Sequence, residues 1–140
     1  MSVFKTTFTR ALAVIPTDNA NVPYPAQSAS GTNDIVYNTT DGTAATVLVV
    51  VSQTSLLLND NIFTATAKTY KVYTASPQTS NGNPGCFLYV GGAGNVKVTT
   101  IGQDVVTFTA VPVGTVLPVQ VVKVHSSASG TTATLINALW

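Results

Sequence analysis

Apolar and polar residues alternate in short blocks along this chain, and turn-forming residues separate the blocks at intervals too short for helices. From about residue 34 the pattern predicts strand, turn, strand. Ile35-Val36-Tyr37 is a short β-type run, and Asp41-Gly42 is a turn signal. Residues 46–52 hold the continuous apolar run Val47-Leu48-Val49-Val50-Val51, which predicts a strand buried on both faces. Residues 54–58 are apolar but carry no decisive period, and Asn59-Asp60-Asn61 reads as a loop. Residues 62–67 and 69–74 read as two strands with Lys68 between them, and the polar stretch 75–85 as a long loop.

The second half is more regular. Residues 87–90, 96–100, 105–110, 119–125 and 132–139 read as strands. Between them lie Gly91-Gly92-Ala93-Gly94-Asn95, Gly102-Gln103-Asp104, the Pro112 and Gly114 region, and the small-residue stretch 126–130. Val96-Lys97-Val98-Thr99 alternates with period two, so one face of that strand is wet. The whole predicts an all-β protein, an antiparallel β-sandwich or a jelly-roll-like barrel. Pro16, Pro23 and Pro25 sit among Asp18, Asn19 and Asn21, which excludes a helical stripe and predicts extended geometry. Residues 1–30 therefore read as an extended N-terminal arm and residues 31–140 as a single β domain.

Composition sharpens this picture. Of the 140 residues 45% are hydrophobic and 8% charged, and there is no Glu. An ordinary soluble domain carries about 25% charged residues. A chain this neutral risks self-association when free, a problem that a subunit buried in an assembly does not face in the same way. A net charge of +1 supplies no electrostatic drive toward nucleic acid or an anionic membrane, and neither is expected as a partner. Cys86 is the single cysteine, so no internal disulfide forms and folding in a reducing cytoplasm is allowed. Lys5 and Arg10 precede only the short apolar run 11–15, which is shorter than a signal-peptide core. Asn38-Thr39-Thr40 matches a glycosylation sequon, without any other sign of a secretory route.

Candidate chemistry is sparse. His125 is the single histidine, and no Gly-x-Ser-x-Gly elbow accompanies it. One His and one Cys do not build a common zinc site, and the five Asp residues are scattered. Gly91-Gly92-Ala93-Gly94 precedes a β-alternating run rather than a helix, so positive φ in a tight turn explains it better than a phosphate loop. Lys68, Lys71, Lys97 and Lys123 are the candidates for a basic face. Tyr24, Tyr37, Tyr70, Tyr73, Tyr89 and Trp140 are the candidates for a sugar-stacking platform. The reading is of a non-enzyme with no catalytic residues, no metal and no cofactor.

Three ordered blocks carry a resemblance. Leu88-Tyr89-Val90-Gly91-Gly92-Ala93-Gly94-Asn95-Val96-Lys97-Val98-Thr99 comes first, then the run from Val106-Thr107-Phe108-Thr109 through Val111-Pro112-Val113-Gly114-Thr115 to Leu117-Pro118-Val119. Gly130-Thr131-Thr132-Ala133-Thr134 leading to Ala138-Leu139-Trp140 is the third. Together with Ala13-Val14-Ile15-Pro16-Thr17-Asp18 and Val22-Pro23-Tyr24-Pro25-Ala26, they resemble the head-spike base proteins of tailed phages and gene transfer agents. In the short family members the arm leads almost directly into the first block, whereas here residues 28–85 intervene, as an enlarged capsid decoration (cement) protein would have it. The resemblance implies a virion structural protein on the outer surface of the capsid, made in the host cytoplasm. Its expected partners are the major capsid protein, further copies of itself (a trimer ahead of a pentamer) and a spike fibre. Contacts are expected from Val3, Phe4, Pro16, Pro23, Pro25 and Trp140. The alternatives are a tail or baseplate component, or a carbohydrate-binding module of the particle.

Overall fold

The computed structural model describes residues 7–27, 32–74 and 85–140. It is an all-β sandwich of two antiparallel sheets. The first sheet has six strands in the order β1 (Ala11–Ala13), β11 (Thr134–Leu139), β7 (Cys86–Gly92), β10 (Thr115–Val124), β8 (Gly94–Thr100) and β9 (Val105–Val111). The second has five, in the order β2 (Tyr24–Gln27), β6 (Tyr70–Thr74), β3 (Ile35–Asn38), β4 (Thr43–Ser52) and β5 (Ser55–Leu58). A short 3-10 turn, Ser127–Ser129, interrupts the last connection.

Period two builds the main core directly. Cys86, Leu88 and Val90 of β7 point inward, as do Val96 and Val98 of β8, Val121 and Val124 of β10, and Ile136 and Ala138 of β11. Lys97, Thr99 and Tyr89 take the alternate positions and are partly or fully exposed. β10 holds the sheet together because its first half pairs with β7 and its second half with β8. It begins earlier than the sequence suggested and runs through Pro118. The proline lacks an N–H, and it falls where the register to β7 breaks between Leu117 and Val121.

Gly91 and Gly92 belong to β7 rather than to a turn, and β10 lies between β7 and β8, so these two strands form no hairpin. Close approach accounts for Gly91 and Gly92 in place of the expected positive φ, whereas Gly94 shows both, with a φ of 157°. A Cβ on Gly91 would come within 2.7 Å of the Leu135 carbonyl oxygen, and one on Gly94 within 2.6 Å of the Ala133 nitrogen. On Gly92 it would collide with the Thr134 hydroxyl.

The second sheet is covered on both faces by small clusters. Ile35, Tyr37, Ala44 and Tyr73 gather with Ala20, Leu12 and Ile15 of the arm, and the Tyr37 and Tyr73 rings meet edge to face at 5.4 Å. On the other face Val36, Ala45 and Val47 pack with Ile62, Phe63, Leu56, Leu58 and Val72. Residues 62–67, expected as a strand, form an irregular cover over this face. Ile62 is fixed there by its carbonyl, which accepts a 2.8 Å hydrogen bond from the buried Asn38 amide. Asn38 also donates to Asp41 and accepts from the Thr40 and Asp41 backbone N–H groups. Its full burial takes the sequon asparagine out of reach of a glycosyl donor in the folded protein.

The described part of the predicted arm, residues 7–27, is extended and built into both sheets. β1 pairs with β11, the Thr17 N–H bonds the Val124 carbonyl, the Val22 N–H bonds the Val122 carbonyl, and β2 then joins β6 of the other sheet. Val22 is buried in the main core, where Trp140 also lies, edge-on to Tyr24 at 5.5 Å. That ring pair adds about 1 kcal/mol beyond simple burial. Arg10 stacks over Tyr24 and donates to the Pro25 carbonyl, sealing the seam between β1 and β2.

Two outcomes follow from this packing. Deleting residues 1–27 removes the buried Ala20 and Val22 and the half-buried Leu12, Val14, Ile15 and Tyr24, at about 1 kcal/mol or more for most of these side chains, together with the strand pairings of β1 and β2. That loss is comparable with a domain's whole stability of about 5–15 kcal/mol. The truncated chain is therefore expected to lose its cooperative thermal transition, against the simpler expectation of an arm removable from an intact β domain. Gly94→Ala is expected to cost about 1–3 kcal/mol in chemical denaturation, because the atoms it meets are the backbone of Thr132 and Ala133, just before β11, and its φ is positive.

Candidate interaction surface

The apolar run 47–51 lies in β4, but the structure corrects its expected burial. Val47 is fully buried, whereas Leu48, Val49, Val50 and Val51, with Leu57 of β5, are between 42% and 63% exposed. The reason is strand length. β3 has only four residues and pairs with β4 from Thr43 to Thr46. Val47 still bonds Asn33 and Asp34; beyond it β4 outruns its neighbour and, among the described residues, keeps β5 as its one strand partner in a two-stranded ribbon. No charged residue occurs between Asp41 and Asp60. A groove of about 350 Å³ runs beside the ribbon, lined by Leu56, Leu58, Phe63 and Tyr70. At its rim Lys68 pairs with Asp41 at 2.9 Å; that hydrogen bond, with one from Asn38, holds the Asp41 carboxyl below its ordinary range.

The expected contact residues are distributed differently. Val3 and Phe4 lie outside the described residues. Pro23 and Trp140 are buried inside the chain's own core, so neither side chain is accessible to a partner in this conformation. Trp140, just past β11, is tied to the arm: its N–H bonds the Arg10 carbonyl and its carbonyl accepts from Thr9 and Arg10. Pro25 is half-buried in β2. Pro16 is half-buried too and lines a hollow with Val14 and Ala133.

One polar cluster brings distant residues together. Asp18 of the arm accepts hydrogen bonds from the Ser126 and Ser129 hydroxyls, both at 2.6 Å, from the Ser126 N–H and from His125 Nδ1 at 3.2 Å. His125 Nε2 meets the Thr99 hydroxyl at 2.9 Å. Thr99, His125 and Asp18 thus share the connectivity of a nucleophile, base and orienting carboxylate. The carboxylate, however, spends its oxygens on two serines, and neither Thr99 nor His125 lines the hollow beside the arm. The cluster works as a clasp between the arm and the turn at residues 126–130. The serine hydroxyls first, then the Ser126 N–H and His125, hold the Asp18 carboxyl well below the usual carboxylate range. Nothing in the local sequence pairs Asp18 with a histidine 107 residues away.

The remaining candidates stay apart. Cys86 is buried in the main core, where desolvation pushes its thiol up to about 12, and both His125 nitrogens have other partners. Asn59 and Asp60 bind the arm at Asn19. Among the described residues no group of three or more His, Cys, Asp or Glu side chains is placed to hold a metal. Lys71 stands on the five-stranded sheet, and Lys97 and Lys123 on the other. Tyr37, Tyr73 and Trp140 are buried, which breaks up the stacking platform. Comparison with protein-family models, with characterised proteins and with solved structures found no significant match.

The clasp has a pH signature. Asp18 is depressed in the folded protein, so its contribution is present above the ordinary carboxylate pKa and is lost as pH falls below that range. Asp18→Asn is expected to lower Tm near neutral pH, and the gap from the unsubstituted protein is expected to close in the acid range. Thermal scans from about pH 7 down to about pH 2 read this; a gap that stays constant removes the clasp from the account.

Proposed function

We propose that this protein is a structural component of a phage-type particle, placed on the outer surface of the capsid as a decoration protein or head-spike base. In this reading it contacts the major capsid protein, acts as an oligomer and performs no catalysis. The observation that carries the reading is where the resembling segments lie. Residues 88–99, 106–119 and 130–140 make up most of β7 to β11 apart from the second half of β10, and they lie in one sheet. The resembling arm segments reach that sheet through backbone bonds from Val14 to Ile136, Thr17 to Val124 and Val22 to Val122, before Tyr24, Pro25 and Ala26 pass into β2 of the other sheet. The intervening residues 28–85 supply β3 to β6 of the second sheet. In this reading the chain is a spike-base-like unit enlarged by the four strands β3 to β6.

The exposed ribbon supports the same reading. An open, uncharged apolar surface marks an interaction site in a soluble protein, and permanent assemblies use larger and more apolar interfaces than transient ones. Cryo-electron microscopy of the parent particle is the test. Density matching the sandwich on the outer shell, between capsomers or at the vertices, is the expected result. Density confined to the tail, or absent from the particle, would overturn the proposal.

A further inference from the structure

We infer that the β4–β5 ribbon is the self-association surface of this chain, and that its occupant is the same ribbon of a second copy. This rests on reading the ribbon as an interface of a particle component. The four sheet edges of the sandwich are not equivalent. β1 and β2 face each other across a seam that Arg10 closes through Tyr24 and the Pro25 carbonyl. Among the described residues the outer edges of β5 and β9 pair with no strand. β9 is uncharged too, but its edge starts beside Asp104 and is bent at Ala110, where φ is 53° and the register to β8 shifts. The β5 edge, Ser55-Leu56-Leu57-Leu58, has no lysine, no proline and no charge to discourage strand addition.

Charge selects the occupant. A partner surface with ionic groups would be desolvated against residues 43–58, which offer it no countercharge. A second ribbon is uncharged by the same sequence and apolar on both faces. Its edge presents the backbone donors and acceptors that β5 leaves open, and antiparallel pairing about a two-fold axis matches each edge to itself. The interface is small. β4 and β5 together hold fourteen residues, below the roughly 20–30 per side of a standard interface. The association is therefore expected to be concentration-dependent, with the ribbon as its dominant patch.

The test is light scattering after size exclusion, or sedimentation velocity, on the full chain over a wide concentration range. Leu57→Lys brings a like charge to the paired β5 edges of the two copies, and Val50→Lys, one strand further in, charges the apolar face of the same ribbon. Leu135→Lys, at a residue 74% exposed on β11, is the control. The expected result is a dimer that persists in the control and weakens about tenfold or more in both ribbon variants, with thermal transitions retained. A chain monomeric at every concentration overturns the inference, as does association that both ribbon variants leave unchanged. So does binding of the monomer to heads that V50K abolishes, which would give the ribbon to the shell protein. Failure here leaves the capsid reading standing when the microscope finds the chain on the shell. A ribbon dimer missing from the particle has the opposite meaning.

Discussion

Two open sheets form a stable sandwich only when something fixes one against the other, and here the chain from Thr9 to Gln27 does so. It begins as an edge strand of the six-stranded sheet, crosses the end of the sandwich with its Thr17 and Val22 N–H groups bonded to β10, and finishes as an edge strand of the other sheet. Proline geometry suits this path, because Pro16, Pro23 and Pro25 hold the chain extended and remove donors that edge positions do not need. Side chains from the same segment enter both cores. The element that reads as a detachable arm is thus the connection on which the relative placement of the sheets depends.

A chain with so few charges fastens its surface with neutral groups. Asn19 is one hub: its carbonyl accepts from the Thr46 hydroxyl and the Asn59 amide, and its own amide donates to Asp60. Asn38 is a second, satisfied within the protein although fully buried. Asp18 is the charged version of the same device, placed where the arm passes the turn at residues 126–130. Bonds of this kind contribute about 1 kcal/mol each. They are specific in position, which suits irregular segments such as 59–69 that cannot use a strand ladder.

The division of the chain between the sheets bears on the functional reading. The six-stranded sheet has one continuous core centred on Leu88, Val98 and Val121. The five-stranded sheet depends on two smaller clusters and on cover from the arm and from residues 62–63. At its far edge the cover ends, and the ribbon extends past it. That open edge is the surface on which the proposed self-association rests.

Much of the fold was legible in the sequence. Alternation at Val96-Lys97-Val98-Thr99, and the turns at Asp41-Gly42 and Gly102-Gln103-Asp104, have local causes in the pleat and in backbone sterics. Fold class follows from such local signals. What lies against a strand's face does not. The run 47–51 announces its hydrophobicity, but only the length of β3 decides that its second half is left open. The glycines at 91, 92 and 94 read as a turn until residues 132–135, at the start of β11 and just before it, are laid against them. Residues 62–67 have strand composition, yet become a cover because Asn38 fixes Ile62 from 24 residues away. Trp140 and Asp18 reach their partners only once residues far apart in sequence are brought together. Periodicity along the chain set the strands, and their lengths, crossings and neighbours determined which apolar surface became core and which stayed exposed as the candidate interface.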